Sequence, residues 1–235
     1  MNRWPSIFLL FVSSLTFAQS DPALIEGLRL LEEGRTTLEE KSLTAAKDYF
    51  TQLTQKNGND PKHFYQLARA DSYLVESYTS HHDEKNAERS LDEAIAATQR
   101  SISMNDKSAD THSLLADLYG RKISLGGLFA GMRYGSKIDA ENKKALALDA
   151  SNSRVYASLG RQYLFAPKAF GGDVSKAADN FRKATELDPN FDENFVWLAI
   201  AYRKKGDAAN AGLALQQALR LNSRSAFARN TAATK

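Results

Sequence analysis

Four histidines are the side chains of this sequence best suited to proton transfer or metal binding at neutral pH. His63, His81, His82 and His112 form no His-Glu-x-x-His motif, and none has a Ser or Cys partner at a recognised nucleophile turn. The cluster His81-His82-Asp83-Glu84 could hold a transition metal weakly, but adjacent residues on a helix cannot face one ion, which favours a solvated cluster. His112 falls on the packing face of a helical pattern, where a hydrogen-bonded core histidine is expected. The chain has no cysteine, which excludes disulfides, thiol catalysis and cysteine-bound metal. Its glycine-rich stretch from Gly126 to Gly135 fits neither GxxxxGK(S/T) nor GxGxxG and follows no strand, so it is not read as a phosphate loop. These residues imply no catalytic site, no metal and no cofactor.

The elements that carry these side chains are helical from Asp21 onward, with no sustained strand-like alternation. Asp21-Pro22 opens the first helix as a cap followed by proline. The stretch from Ser153 to Phe191 sets Tyr156, Leu159, Gly160 and Tyr163 along one helical stripe, then Ala177, Phe181 and Ala184 along a second, with Pro189 beyond the helix end. This pattern resembles one tetratricopeptide repeat (TPR), a 34-residue helix hairpin with small residues at positions 8, 20 and 27. The resemblance implies an all-α, right-handed solenoid of about five hairpins, with enlarged turns in the three central ones. The template lays over the chain as 27–60, 61–108, 109–152, 153–191 and 192–225, preceded by a helix start at 19–26. Repeats one and five keep the standard length, and the excess in the other three falls in the hairpin turns, on one edge of the solenoid. Residues 226–235 form a C-terminal cap or tail; either they cover the last hairpin or another subunit does.

Two surfaces follow. In TPR proteins certain positions of each first helix tend to line the concave groove, and here these carry Tyr65, Arg69, Tyr73, Arg121, Arg161, Phe165, Arg203 and Lys204. Arginine binds carboxylates through paired hydrogen bonds and tyrosine offers contact area at low entropy cost, so the groove is expected to hold a protein or acidic peptide. The alternative is that these are ordinary charged helix surfaces. The second surface is the edge, where Phe129, Met132 and Tyr134 of one insertion and Phe165 and Phe170 of the next are apolar. Either these residues pack on one another, or they line a pocket for a small hydrophobic ligand or a partner.

The first 18 residues differ from the rest. Arg3, the apolar run from Ile7 to Val12 and the small residues before Gln19 have the form of a secretory signal cleaved after Ala18. An uncleaved anchor is the alternative, although the apolar run is about half of the ~20 residues a span needs. Cleavage would deliver a periplasmic or secreted protein with no stable membrane insertion. The net charge of +3 from 31 basic and 28 acidic residues, with no long basic block, excludes a nucleic-acid binder on electrostatic grounds. More loosely, an exported TPR chain with enlarged turns resembles the periplasmic TPR components associated with TRAP transporters. The segment from Ala109 to Phe191, with KALALDA and RKATELDPNF, is also similar to regulator-of-microtubule-dynamics proteins.

Overall fold

Capping side chains punctuate the chain. Asp60, Asp83, Ser108, Asn152, Asp173, Asp207 and Ser225 each accept a hydrogen bond from a backbone N–H two or three residues ahead, satisfying donors that a helix start leaves free. The computed structural model describes residues 22–234. The proposed signal sequence lies outside them. Helices α1 (Pro22–Thr37) and α2 (Glu40–Lys56) form the first hairpin, and α3 (Pro61–Ser80) and α4 (Glu84–Met104) the second. Then come α5 (Ala109–Leu148), α6 (Ser153–Phe165) with a short 3-10 turn (Lys168–Phe170), α7 (Val174–Leu187), α8 (Asp192–Lys205), α9 (Ala208–Leu221) and α10 (Ala226–Ala233). The protein is an all-α solenoid.

Helix α5 is a hairpin in its own right. At Gly127 the backbone takes φ 63° and ψ −146°, a region open essentially to glycine alone, and the chain reverses. His112 Nδ1 lies 2.6 Å from Glu141 Oε2, and the Tyr119 and Tyr134 rings stack at 5.2 Å. Both pairs are placed symmetrically about residues 126 and 127, as antiparallel arms require. The glycine-rich stretch is therefore two helix ends meeting at one residue, and not an enlarged turn. Hairpin two behaves similarly, since its extra residues lengthen α3 and α4 and leave only residues 81–83 between them. His82 sits there at φ 58°, and the His81 ring caps α3 at the Ser77 carbonyl, 2.8 Å away.

Small residues let the helices approach. Ala68, Ala94, Ala116, Ala145, Ala177, Ala199, Ala211 and Ala218 are all buried at these contacts. A Cβ on Gly160 would lie 2.7 Å from the Phe181 ring, so the bare backbone is what seats that fully buried phenylalanine. Hairpin one departs from the 34-residue template. Its turn falls at Leu38 and Glu39, α1 starts at Pro22, and Gly27 rather than Gly34 meets Phe50. Gly34 packs on Leu43 instead.

The last hairpin is covered by α10, whose Phe227 ring packs 5.0 Å from Trp197 and whose Ala228 is fully buried. The solenoid also closes on itself. Arg35 near the end of α1 is buried and pairs with buried Asp192 at 2.9 Å and with Glu193 at 3.0 Å on α8. Its guanidinium stands 5.1 Å from the Phe191 ring centroid. Beside it Asn222 Nδ2 donates to Thr36 Oγ1 at 3.3 Å, and Arg224 pairs with Glu33 at 2.5 Å.

Candidate partner-binding groove and hairpin tips

The residues expected to line the groove lie on α3, α5, α6 and α8. On α3, Tyr65, Arg69 and Tyr73 follow at four-residue spacing and so share one stripe. Arg69 Nη1 donates to Gln66 Oε1 at 2.9 Å, and its guanidinium lies 6.0 Å from the Tyr65 ring centroid. Tyr73 donates its hydroxyl proton to Glu193 Oε1 at 3.0 Å, across to the last hairpin. Burial holds both phenols above their ordinary range, with Glu193 pushing Tyr73 further the same way, so both remain protonated donors at neutral pH.

Other predicted groove cations are already engaged. Arg121 Nη1 donates to Glu76 Oε2 at 2.8 Å. Burial pushes its guanidinium down, and the charges of Glu76 and Asp117 more than offset this and raise it. Arg161 forms a two-point pair with Asp117, with Nε at 3.0 Å, and its guanidinium stacks 5.4 Å from the Trp197 centroid. Arg154 approaches Asp110 at 3.7 Å. Acidic residues thus stand beside several of these cations. Glu76 lies beyond the positions assigned to the groove, which is why the pattern missed it. Arg69 differs from these neighbours, because no carboxylate lies within ion-pair distance of it among the described residues.

Arg203 and Lys204 serve the fold. Arg203 Nη1 donates to the carbonyls of Thr231 and Thr234 at 2.5 and 2.9 Å, holding the end of α10. Lys204 Nζ donates to the Leu164 carbonyl at 2.7 Å, which fixes the end of α6. Phe165 packs edge-on against Trp197 at 5.9 Å yet remains largely exposed.

The apolar edge residues divide. Tyr134 is packed on Tyr119 within the core of hairpin three. Phe129, Met132, Phe165 and Phe170 are exposed, so they do not close the edge by packing on one another. The reason is length. Gln162 of α6 meets Asn142 and Asp139 of α5, so Phe129 stands ten residues, about 15 Å, nearer the tip than that contact. Helix α6 ends at Phe165, about 5 Å past it. Surface depressions at residues 56–61 and at the seam between α1 and α8–α9 include none of these residues. Among the described residues no three His, Cys, Asp or Glu side chains gather as a metal site.

Comparison with solved structures places the fold. The chain is similar to TTC0263, a thermophilic TPR protein of Thermus thermophilus, at 19% identity over 89% of this chain and 95% of that one, with a TM-score of 0.68. It is also similar to the HusA haemophore of Porphyromonas gingivalis, at 15% identity over 88% and 96%, with a TM-score of 0.59. At such identities the likeness is one of fold, a TPR-type helical solenoid. No curated protein matches the sequence. The family model for regulator of microtubule dynamics protein 1-3 matches residues 24–167, from α1 into the turn after α6. That span is more than half of the sequence, and the chain belongs to the regulator of microtubule dynamics protein 1-3 family.

Proposed function

We propose that this protein is a non-catalytic, exported scaffold that holds a protein or peptide partner on its concave face, around Tyr65, Arg69 and Tyr73 of α3. One observation carries the reading: Arg69 has no carboxylate of its own while Arg121 and Arg161 beside it are paired. A half-buried cation between Tyr65 and Tyr73, the latter already donating to Glu193, suits one incoming carboxylate, which the guanidinium can meet with charge-assisted hydrogen bonds. The partner then contributes a single acidic side chain or a chain terminus rather than a run of acidic residues, because the remaining cations are occupied. Titrating the mature chain with peptides that carry one Asp, one Glu or only a terminal carboxylate tests this. Arg69→Gln should weaken the best of them about tenfold or more, the loss expected for one hydrogen bond to a charged group. Equal affinity for the variant would sink the groove reading. Export is tested by N-terminal sequencing of the protein from its native host, with Gln19 expected first.

A second reading, a small-ligand-binding or transporter-accessory protein, draws on the exposed Phe165 and Phe170 and on the shared fold with a haemophore. It predicts an apolar ligand that co-purifies with the chain and is displaced by Phe170→Ser, read by mass spectrometry.

A further inference from the structure

The tip of hairpin three is unlike the rest of the surface in two respects. It exposes Leu125, Phe129 and Met132 at 42%, 80% and 68%, on the end of a two-helix projection that overhangs its neighbour. It is also basic throughout, since residues 118–138 contain Arg121, Lys122, Arg133 and Lys137 and no Asp or Glu. Arg121 and Lys122 are spent on Glu76 and Asp92 of hairpin two. Arg133 and Lys137 are exposed and stand against tyrosine rings, Arg133 at 5.4 Å from Tyr134 and Lys137 at 5.5 Å from both Tyr134 and Tyr119, with no carboxylate within ion-pair distance among the described residues. The turn of hairpin four continues the pattern, with Phe165, Lys168 and Phe170 and no acid between Arg161 and Asp173.

This chemistry selects among occupants. A second copy of the chain would bring the same positive charge against it. A folded protein partner needs about 800 Å² of matched surface per side, whereas a convex tip of three apolar side chains offers on the order of a few hundred. An anionic bilayer needs no shape match, accepts apolar side chains among its headgroups and attracts lysine and arginine beside them. No helix among the described residues is long and apolar enough to cross a membrane, so the contact would be with a surface.

We infer that the tip of hairpin three docks on an anionic membrane surface, with Leu125, Phe129 and Met132 entering the headgroup layer and Arg133 and Lys137 pairing with lipid phosphates. This face is separate from the Arg69 groove, so the two can fail independently. The test is flotation of the full mature chain with vesicles of phosphatidylcholine alone or mixed with phosphatidylglycerol. Binding is expected on the mixed vesicles, about tenfold or more above the neutral ones, and should weaken with salt. Phe129→Ser with Met132→Ser, and separately Arg133→Glu with Lys137→Glu, should each lower it about tenfold or more. All four side chains are exposed, so an unchanged thermal midpoint confirms that the fold survives. Absence of binding to the mixed vesicles, or binding by both variants as tight as that of the unaltered chain, overturns the inference. Loss of affinity for a purified protein partner in the Phe129/Met132 variant, without vesicle binding, overturns it in favour of a protein.

Discussion

His112 and Asp71 make the stability of this chain depend on pH in the same direction. The hydrogen bond to Glu141, helped by the Asp106 carbonyl and by both carboxylate charges, raises the His112 imidazole above its ordinary value. A raised histidine stabilises the fold fully below its unfolded value, near 6.5, and the benefit disappears as pH rises through the folded value. Burial pushes the Asp71 carboxyl up to about 6, only partly countered by Lys47 at 2.8 Å. Ionising it in the fold therefore costs stability as pH rises from about 4 to 6, on the order of 2–3 kcal/mol. Urea denaturation should show the protein more stable at pH 5 than at pH 8, with Asp71→Asn flattening the lower part of the curve and His112→Gln the upper part. A wild-type curve that climbs over this range would contradict both assignments. At Gly160 packing dominates, and Gly160→Ala should overpack Phe181 at a cost of about 1–3 kcal/mol, while Phe181→Ala should cost about 3–5 kcal/mol. An unchanged midpoint in either variant would mean that the contact is not made.

At the level of the element, the glycines of hairpin three separate into one that the backbone needs and several that it does not. Gly127→Ala forces a side chain into positive φ at the reversal and should cost about 1–3 kcal/mol. Gly120, Gly131 and Gly135 have open space where a Cβ would stand, so alanine at each should stabilise by about 0.5–1 kcal/mol through helix propensity. Thermal melts of the four variants check the contrast, and a uniform response would exclude a hairpin turning at Gly127. The sequence pattern revealed the repeats because apolar and small residues at fixed spacing report local helix packing, as at Gly160 and Phe181. It did not reveal where the turns lie, because α3, α4 and α5 lengthen by adding helix while their extra residues look like loop. In hairpin one position 8 of the 27–60 template falls on Gly34, although Gly27 is equally small and is the residue that meets Phe50. Exposure at the tips was equally hidden, since Phe129 and Phe170 have the composition of core, while helix length leaves Phe129 outside and Phe170 stands on the turn after α6.

For the whole molecule, closure matters most, and no local period could have announced it. Arg35, Asp192 and Glu193 are separated by most of the chain and meet only because five hairpins of these lengths bring α1 back to α8. The contact makes the first and last hairpins depend on each other, whereas an open solenoid couples neighbours alone. Arg35→Ala would leave the buried Asp192 carboxylate with no cation, only the Asn222 amide at 3.3 Å, and should cost about 3–5 kcal/mol, the usual penalty for breaking a buried pair. The loss should be distributed in a specific way. Hydrogen exchange should accelerate in α1 and at the start of α8, with α4 and the arm of α5 before Gly127 little changed. The absence of cysteine offers a direct check, because Glu33→Cys with Arg224→Cys creates two unique thiols across the seam. A short bis-maleimide should join them within one chain at high yield in the wild-type background, and Arg35→Ala should reduce that yield. Equal yields would show that Arg35 does not hold the ends together. Closure also governs the groove, since Glu193 at the seam receives the Tyr73 hydroxyl beside Arg69. A variant that opens the seam should therefore alter carboxylate-peptide affinity with Arg69 itself untouched.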